Sequence, residues 1–296
     1  MTDRQTSTYS MWEAFSNCQR RAFWRYIKEV VPALADETMT FGTLIHECLA
    51  TWYRTKSSDS VLGMIDANYQ NGQNPETEKF WHFAHAMMSA YMRRYERETW
   101  NVLGIEQEFQ VPLVNPATGW PSRTFCLRGK VDMIIEHGGQ IFVAEHKTAS
   151  SVDAAYIEGL NLSLQADIYF AAGSGLWSPV GVIYNILQKP ALRKIGPDFR
   201  ERCAADMEKP EALQRFTFYY DKGDRARLQS ELWELSQRWL HCAKTGVWLQ
   251  NRRACFIYRK PCAYFKLCAS RDDTGILNEF YIHKPAHSEL SKTEDN

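Results

Sequence analysis

The chain has 296 residues, of which 45% are hydrophobic and 13% aromatic, enough to form a packed core of one large domain or two small ones. Basic and acidic residues balance at 35 each, which excludes a bulk positive charge as the basis of nucleic-acid binding. The polar N-terminus, the irregular spacing of eight cysteines and the lack of a long apolar run predict a cytoplasmic protein without membrane spans or a disulfide framework.

Apolar periodicity predicts helices first, then strands, then helices again. Helical spacing occurs in six segments: 10–28, 39–56, 60–69, 76–100, the segment around 165, and 222–245. Runs rich in β-branched and aromatic residues predict five strands: 105–113, 123–136, 140–147, 180–187 and 215–220. This order predicts an α/β protein with a mixed central β-sheet flanked by helices, an N-terminal helical region and a C-terminal cysteine-rich segment.

Two of the predicted strands meet at a Gly-Gly step at 138–139, which is typical of a β-hairpin turn. The first strand carries Asp132, and the second carries Glu145 and Lys147 on either side of His146. Because side chains alternate along a strand, Glu145 and Lys147 share one face and His146 points to the other. The hairpin therefore brings two carboxylates and an ammonium group together.

Two carboxylates beside an ammonium group indicate metal-dependent chemistry. Two carboxylates suit Mg²⁺ or Mn²⁺, hard ions that keep water positions open for a substrate phosphate. Asp132 and Glu145 are the candidate ligands, and Lys147 can hold the attacking water and stabilise charge on the phosphorane. The pattern favours metal-assisted hydrolysis of a phosphodiester. The alternative is a surface hairpin in which Glu145 and Lys147 form an exposed salt bridge.

Three polar residues outside the hairpin are further candidates. His46 lies in an apolar helix, where it is either a metal ligand that favours Mn²⁺ or a histidine packed on the helix face. Gln165 and Tyr169 are four residues apart, so they share one helical face. They can orient a phosphate or a base, or they can belong to an ordinary amphipathic helix.

Four cysteines lie near the two ends of the chain: Cys18, Cys255, Cys262 and Cys268. Structural zinc sites mostly use short Cys-x₂₋₄-Cys knuckles, which the six- and five-residue gaps of the late group do not provide. Iron–sulfur clusters tolerate wider spacings because each iron is a separate anchor. Iron, zinc and unligated thiols all stay open at this point. The remaining cysteines are expected to be small buried hydrophobes: Cys48, Cys126, Cys203 and Cys242.

Gly129–Asp132 followed by Glu145–Thr148 resembles the PD-(D/E)XK nuclease superfamily, with Val131 in the place of the proline. Phe41–His46 and Gln165–Tyr169 resemble the flanking motifs of its RecB-like branch and occur in the same order. One early cysteine and three late ones resemble the iron–sulfur members of that branch, which include CRISPR-associated exonucleases and phage relatives. Those members have a Cys-x-x-Cys step where this chain has wider gaps.

The resemblance implies a restriction-endonuclease-like core and a Mg²⁺- or Mn²⁺-dependent DNA exonuclease that acts on single strands or duplex ends. It implies metal ligands at four positions: His46, Asp132, Glu145 and the backbone carbonyl of His146. It implies catalytic roles at five positions: Asp132, Glu145, Lys147, Gln165 and Tyr169. It also implies a structural [4Fe–4S] cluster on four thiolates: Cys18, Cys255, Cys262 and Cys268.

The predicted partners rest on the basic residues near the cysteines and on the absence of a helicase phosphate loop. Residues 250–270 carry five basic and no acidic residues among several aromatic ones, and Arg20, Arg21 and Arg25 flank Cys18. If the cysteines converge, these segments form either a patch that follows a DNA backbone or a solvated basic face. The chain contains no Gly-x-x-x-x-Gly-Lys-Ser/Thr phosphate loop, so a helicase or recombination or CRISPR-adaptation proteins would supply any unwinding.

We expect a single nuclease domain over 1–287, followed by a disordered tail at 288–296. Within it, a helical part at 1–100 precedes the nuclease core at 101–221, and a helix with the cysteine segment follows at 222–275. The alternative function is a non-catalytic DNA-end-binding or assembly subunit that retains the fold.

Overall fold

The computed structural model describes residues 4–34, 37–70, 75–257, 260–270 and 273–290. The chain divides into two compact units. The central unit comprises Asp36–Gln107 and Val131–Asp221. The terminal unit comprises Met1–Ala35, Glu108–Lys130 and Lys222–Asn296.

The helices in the described residues are α1 Tyr9–Asn17, α2 Gln19–Ala22, α3 Glu37–Thr55, α4 Ser58–Gln70, α5 Pro75–Arg94, α6 Ala154–Leu160, α7 Leu164–Gly173, α8 Phe199–Met207, α9 Lys222–Thr245, α10 Phe265–Ala269 and α11 Asp273–Phe280. The strands are β1 Gln5–Ser7, β2 Val30–Pro32, β3 Asn101–Val114, β4 Pro121–His137, β5 Gln140–Ala149, β6 Gly181–Gln188, β7 Leu213–Tyr219, β8 Phe256–Ile257, β9 Lys260–Pro261 and β10 Tyr281–His283.

The central unit is built on a mixed sheet with the strand order β4-β5-β6-β7, and β3 also pairs with β4. The β4–β5 and β6–β7 pairs are antiparallel, whereas β5 and β6 run parallel. The interior strand β6 is buried from Gly181 to Leu187, as expected for a strand covered on both faces. A Cβ on Gly181 would lie 2.2 Å from the Phe218 carbonyl oxygen, so pairing with β7 requires glycine there. The predicted α/β class with a mixed sheet and flanking helices is confirmed.

Helices α3, α4, α5 and α8 pack on one face of this sheet and form a single apolar core with it. Ile45 and Leu49 of α3 and Met87 of α5 are completely buried in this core. Phe142 and Ala144 of β5 face the same core. Because side chains alternate along a strand, Glu145 lies on the opposite face of the sheet.

The terminal unit is held together by aromatic side chains. The Trp12 ring of α1 contacts Phe125 of β4 and Trp239 of α9, with centroid distances of 5.6 and 6.1 Å. β1 runs parallel to the first half of β4, and β2 pairs antiparallel with β10. The segment after the last cysteine therefore returns to pair with β2, which lies near the start of the chain.

The predicted helix over 10–28 is wrong as a single element. It is interrupted at Cys18, where φ is −164° and ψ is 114°, and it continues as α2 and a π-helical turn over Phe23–Ile27. The Asn251 backbone amide donates to Cys18 Sγ at 3.3 Å, a contact between distant segments that local periodicity does not detect. The predicted helix over 76–100 ends at Arg94, because the chain turns there toward β3. Helices α6, α8, α10 and α11 were not predicted.

No described helix is long and apolar enough to cross a membrane. The predicted cytoplasmic location and the predicted division of one domain into three parts stay predictions. The predicted disordered tail covers 288–296, and its residues 291–296 lie outside the described residues. The four cysteines expected in the core are buried: Cys48, Cys126, Cys203 and Cys242.

Candidate active site

β4 and β5 form the predicted hairpin, and its turn determines the positions of both candidate carboxylates. The two glycines at 138–139 have φ values of 59° and 75°, as a type I′ turn requires at both central positions. Antiparallel pairing continues from this turn to Met133 and Ala144. In this register Asp132 and Glu145 come next, so the hairpin places them on neighbouring strands.

Asp132 is held by two histidines in different ways. Its Oδ2 accepts a hydrogen bond from the His146 backbone amide at 2.7 Å, and its Oδ1 lies 3.2 Å from His46 Nδ1. Burial alone would raise the pKa of Asp132, but His46 and His146 lower it well below its ordinary value. Burial alone would lower the pKa of His46, but Asp132 raises it above its ordinary value. The structure thus brings His46 and Asp132 together.

Glu145 lies at the centre of a second cluster. Its Oε1 accepts hydrogen bonds from Lys147 Nζ at 2.9 Å and from Gln165 Nε2 at 2.7 Å. Lys147 also donates to Gln165 Oε1 at 2.5 Å, and Gln165 donates to Tyr169 OH at 3.0 Å. Glu145 Oε2 is buried and has no hydrogen-bond partner in the described part of the chain. Burial and the nearby Asp132 raise the pKa of Glu145 above its ordinary value.

The alternative of a surface salt bridge does not fit these two residues. The Glu145 side chain is only 3% exposed, whereas the Lys147 side chain is 28% exposed. Burial alone would lower the pKa of Lys147, but Glu145 raises it, so the ammonium group stays charged. The arrangement is a buried carboxylate with a charged lysine that is accessible to a substrate.

The ring of His146 points into the core, away from Glu145 and Lys147. Its Nδ1 accepts a hydrogen bond from Asn185 Nδ2 at 2.8 Å. The ring is parallel to that of Tyr53, with centroids 6.1 Å apart. Burial lowers the pKa of His146 to about 3, so the ring stays neutral. A role for His146 in metal binding therefore falls to its backbone carbonyl and stays a prediction.

The charges at this site fit a divalent cation. Glu145 offers a buried oxygen without a partner, and the second carboxylate, Asp132, is close enough to raise the pKa of Glu145. Among the described residues, no three side chains of His, Cys, Asp or Glu form a group that could hold a metal ion by themselves. Mg²⁺ needs only one or two carboxylates, because water and substrate phosphate complete its shell. The donor set suits Mg²⁺ or Mn²⁺ better than a closed zinc site.

A family model described as the PD-(D/E)XK nuclease superfamily matches residues 6–269 of the chain. The protein belongs to the PD-(D/E)XK nuclease superfamily. No curated protein matches the chain. Several solved structures match it. One is the "Putative exonuclease" from Eubacterium rectale, with 10% identity and a TM-score of 0.46 over 89% of this chain and 92% of that one. Another is SSO0001, with 14% identity and a TM-score of 0.34 over 79% of this chain and 78% of that one. Both TM-scores are too low to support any inference about this nuclease.

Sequence reasoning missed a buried polar network beneath His146 of the nuclease. Asn185 Nδ2, which contacts the His146 ring, also donates to Tyr91 OH at 2.9 Å. Tyr91 OH is hydrogen-bonded to Tyr53 OH at 2.7 Å. One signal was present in the sequence: Asn185 interrupts the apolar run of β6. A buried amide at such a position requires hydrogen-bond partners, but the sequence does not identify them.

Arg215 of β7 completes this network. Its Nη2 donates to Glu98 Oε2 at 2.6 Å, and its Nε donates to Asn185 Oδ1 at 3.2 Å. The guanidinium carbon lies 3.6 Å from the ring centroids of both Tyr95 and Trp100. With side chains only 18% and 8% exposed, Arg215 and Glu98 form a buried ion pair. The network links β7 through β6 to the strand that carries Glu145.

The four end cysteines line one cavity of about 20 Å³ in the terminal unit of the nuclease. All four are free thiols, and among the described residues no three of them form a group that could hold a metal ion: Cys18, Cys255, Cys262 and Cys268. The cavity is also lined by Arg21, so one of the predicted basic residues lies beside the cysteines. Arg252, Arg253 and Lys266 of the basic segment are exposed, and Tyr258 and Arg259 lie outside the described residues.

Proposed function

We propose that this protein is a Mg²⁺- or Mn²⁺-dependent deoxyribonuclease that acts as an exonuclease on single strands or duplex ends. The observation that carries the proposal is the environment of Glu145. One of its oxygens is hydrogen-bonded to Lys147, and the other is buried without a partner beside Asp132. Lys147 contacts only one of the two oxygens, and leaving the other one buried without a partner is costly. This supports a divalent metal ion as the missing partner.

Each residue of the cluster has a role in phosphodiester hydrolysis. A divalent metal ion held by this cluster would supply Lewis-acid chemistry, polarising the scissile phosphate and making water a stronger nucleophile. The groups that would hold the ion are Asp132, Glu145, His46 and the backbone carbonyl of His146. Lys147 orients the attacking water and neutralises charge that develops on the phosphate oxygens. Gln165 keeps Lys147 and Tyr169 in place through its hydrogen bonds to both.

The proposal is tested by incubating the purified protein with end-labelled single- and double-stranded DNA in Mg²⁺, in Mn²⁺ or in a chelator. We expect the labelled strands to shorten only when metal is present. Circular single-stranded DNA of the same length is the matched control, because it has no end. An exonuclease leaves the circle intact, and cleavage of the circle would replace the exonuclease assignment with an endonuclease one.

The competing function is a non-catalytic DNA-end-binding or assembly subunit. It would be favoured if the metal-loaded protein bound DNA ends but cleaved none of these substrates. The site argues against it, because packing alone does not require Asp132, Glu145 and Lys147 to lie together. In either case the partners we propose are a helicase, or recombination or CRISPR-adaptation proteins, that expose the strand.

We also propose that the four end cysteines hold a [4Fe–4S] cluster. The supporting observation is that all four line one cavity as free thiols, although Cys18 is more than two hundred residues from the other three in the chain. Thiolate ligands from both ends of the chain would then fix those ends together. The role is structural, and the cluster is distinct from the metal ion at Glu145.

Cys262→Ser tests this second proposal. The purified wild type is expected to show broad visible absorption from thiolate-to-iron charge transfer and to contain iron, whereas the variant loses most of both. Cys203→Ser is the matched control, because Cys203 is buried in the central unit away from that cavity, and we expect it to keep its iron. A colourless wild type with stoichiometric zinc would replace the cluster with a zinc site.

A further inference from the structure

The central unit contains a second cavity, of about 170 Å³, at the junction of α3, α4 and α5. Its walls include four aromatic side chains and two polar ones: Phe41, Tyr69, Phe80, Trp81, Asn68 and Thr77. A cavity of about 150 Å³ lined by apolar side chains is large enough to bind benzene. This aromatic cavity can therefore hold one planar ring, and its polar side chains can bond to the edge of that ring.

The aromatic walls have a defined arrangement. Trp81 Nε1 donates a hydrogen bond to Asp66 Oδ1 at 2.8 Å, which orients the indole ring. The Tyr69 and Trp81 rings are 5.2 Å apart, and the Phe41 and Phe80 rings are 4.9 Å apart. Tyr69, Phe80 and Trp81 are only partly buried, so a ring from solution can reach them.

Two lysines lie beside the Phe41 and Phe80 rings of this cavity. Lys189 Nζ lies 4.8 Å from the Phe41 ring centroid and 5.9 Å from that of Phe80. Lys79 Nζ lies 5.2 Å from the Phe80 centroid. None of the described residues that line the cavity is acidic. An aromatic surface beside lysines is the combination that binds single-stranded nucleic acid, because bases stack on the rings and phosphates pair with the ammonium groups.

The aromatic cavity and the candidate active site are connected through the end of β5. Lys189 donates its backbone N–H to the Ala149 carbonyl oxygen at 2.8 Å. Ala149 is two residues after Lys147, a separation of about 7 Å along a strand. Gly42 follows Phe41 in α3, and a Cβ on it would lie 3.7 Å from Thr148 Oγ1. Residues of the cavity thus belong to segments that contact the catalytic strand.

We propose that the aromatic cavity binds one base of a single-stranded DNA that is the substrate of the Glu145–Lys147 site. This inference rests on the proposed nuclease function and identifies its substrate as a strand with an unpaired base. The base stacks on Phe80 and Trp81, while Lys79 and Lys189 contact the adjoining phosphates.

The test measures binding without metal, so that it does not depend on cleavage. Labelled oligothymidylate and an abasic strand of the same length and charge are titrated with wild type and with Phe80→Ala in a chelator. Phe80→Ala is expected to weaken binding to oligothymidylate about tenfold and to leave binding to the abasic strand unchanged, because one stacking surface is lost. Phe80→Tyr keeps the ring and should restore binding.

Two further variants make the result specific. Tyr69→Ala removes another ring near the end of α4, so it tests the cavity even if Phe80→Ala impairs folding, and it should show the same selective loss. Tyr219→Ala removes an exposed ring of β7 outside the cavity and should have no effect. Equal losses on both strands, or no loss in the two cavity variants, would overturn the proposal. If the cavity variants selectively lose binding to oligothymidylate but the wild type shows no metal-dependent cleavage, the base site is supported and the nuclease function is rejected. If the wild type cleaves DNA but the cavity variants show no selective loss of binding, the nuclease function is supported and the base site is rejected.

Discussion

Glu145→Gln is expected to reduce metal-dependent DNA cleavage by at least about 100-fold and, at the same time, to stabilise the metal-free protein. Because the folded protein raises the pKa of Glu145, ionising this group opposes folding once the pH exceeds its ordinary value near 4.5. Glutamine has nearly the same shape and carries no charge. We expect the free energy of unfolding at pH 8 to rise by about 1–3 kcal/mol, measured by urea denaturation in a chelator.

Lys147→Met is the matched control for this experiment. It should lose cleavage as well, but it keeps both carboxylates and should still be stabilised by added Mg²⁺ or Mn²⁺. Glu145→Gln should lose most of that stabilisation, because one of the metal-binding groups is gone. Full activity in either variant would contradict the assignment of the site. Equal stabilisation of both variants by metal would remove Glu145 from the set of metal ligands.

Arg215→Met is expected to lower the free energy of unfolding by about 3–5 kcal/mol, the cost of leaving one partner of a buried ion pair alone. Glu98 would keep a buried charge without the guanidinium group, and Tyr95 and Trp100 would lose the cation between their rings. Urea denaturation of wild type and variant measures the difference.

The matched control for Arg215→Met is Arg93→Met. Arg93 pairs with Glu208, but these side chains are 59% and 65% exposed, so we expect a change of less than about 1 kcal/mol. Adding Glu98→Gln to Arg215→Met should recover part of the lost stability, because it removes the uncompensated charge. Similar losses in the Arg215 and Arg93 variants would mean that the buried network is not a special source of stability.

The core of the site was predictable because its information is local in sequence. A Gly-Gly turn between two strands determines the register, and alternation along β5 then separates Glu145 and Lys147 from His146. The same alternation correctly predicts that the His146 ring faces away from Glu145 and Lys147. These features belong to the hairpin itself, so they can be predicted without any information about the rest of the chain.

The surroundings of the site were not predictable in this way. Arg215 and Glu98 are separated by 117 residues, and nothing in either segment indicates that they pair. Cys18, where the first helix is interrupted, likewise contacts Asn251, which lies 233 residues away. Such contacts are set by the tertiary fold, and periodicity within a short window contains no information about them.

The network around Arg215 also bears on how the central unit opens. Its polar groups come from α3, α5, β6 and β7, and they satisfy one another only when all four elements are in place. Detaching α3 or α5 from the sheet would break several of these hydrogen bonds at once. Partial opening of this region therefore loses several hydrogen bonds as well as apolar packing. The central unit should behave as one cooperative block, with no stable intermediate in which α3 or α5 has come away from the sheet.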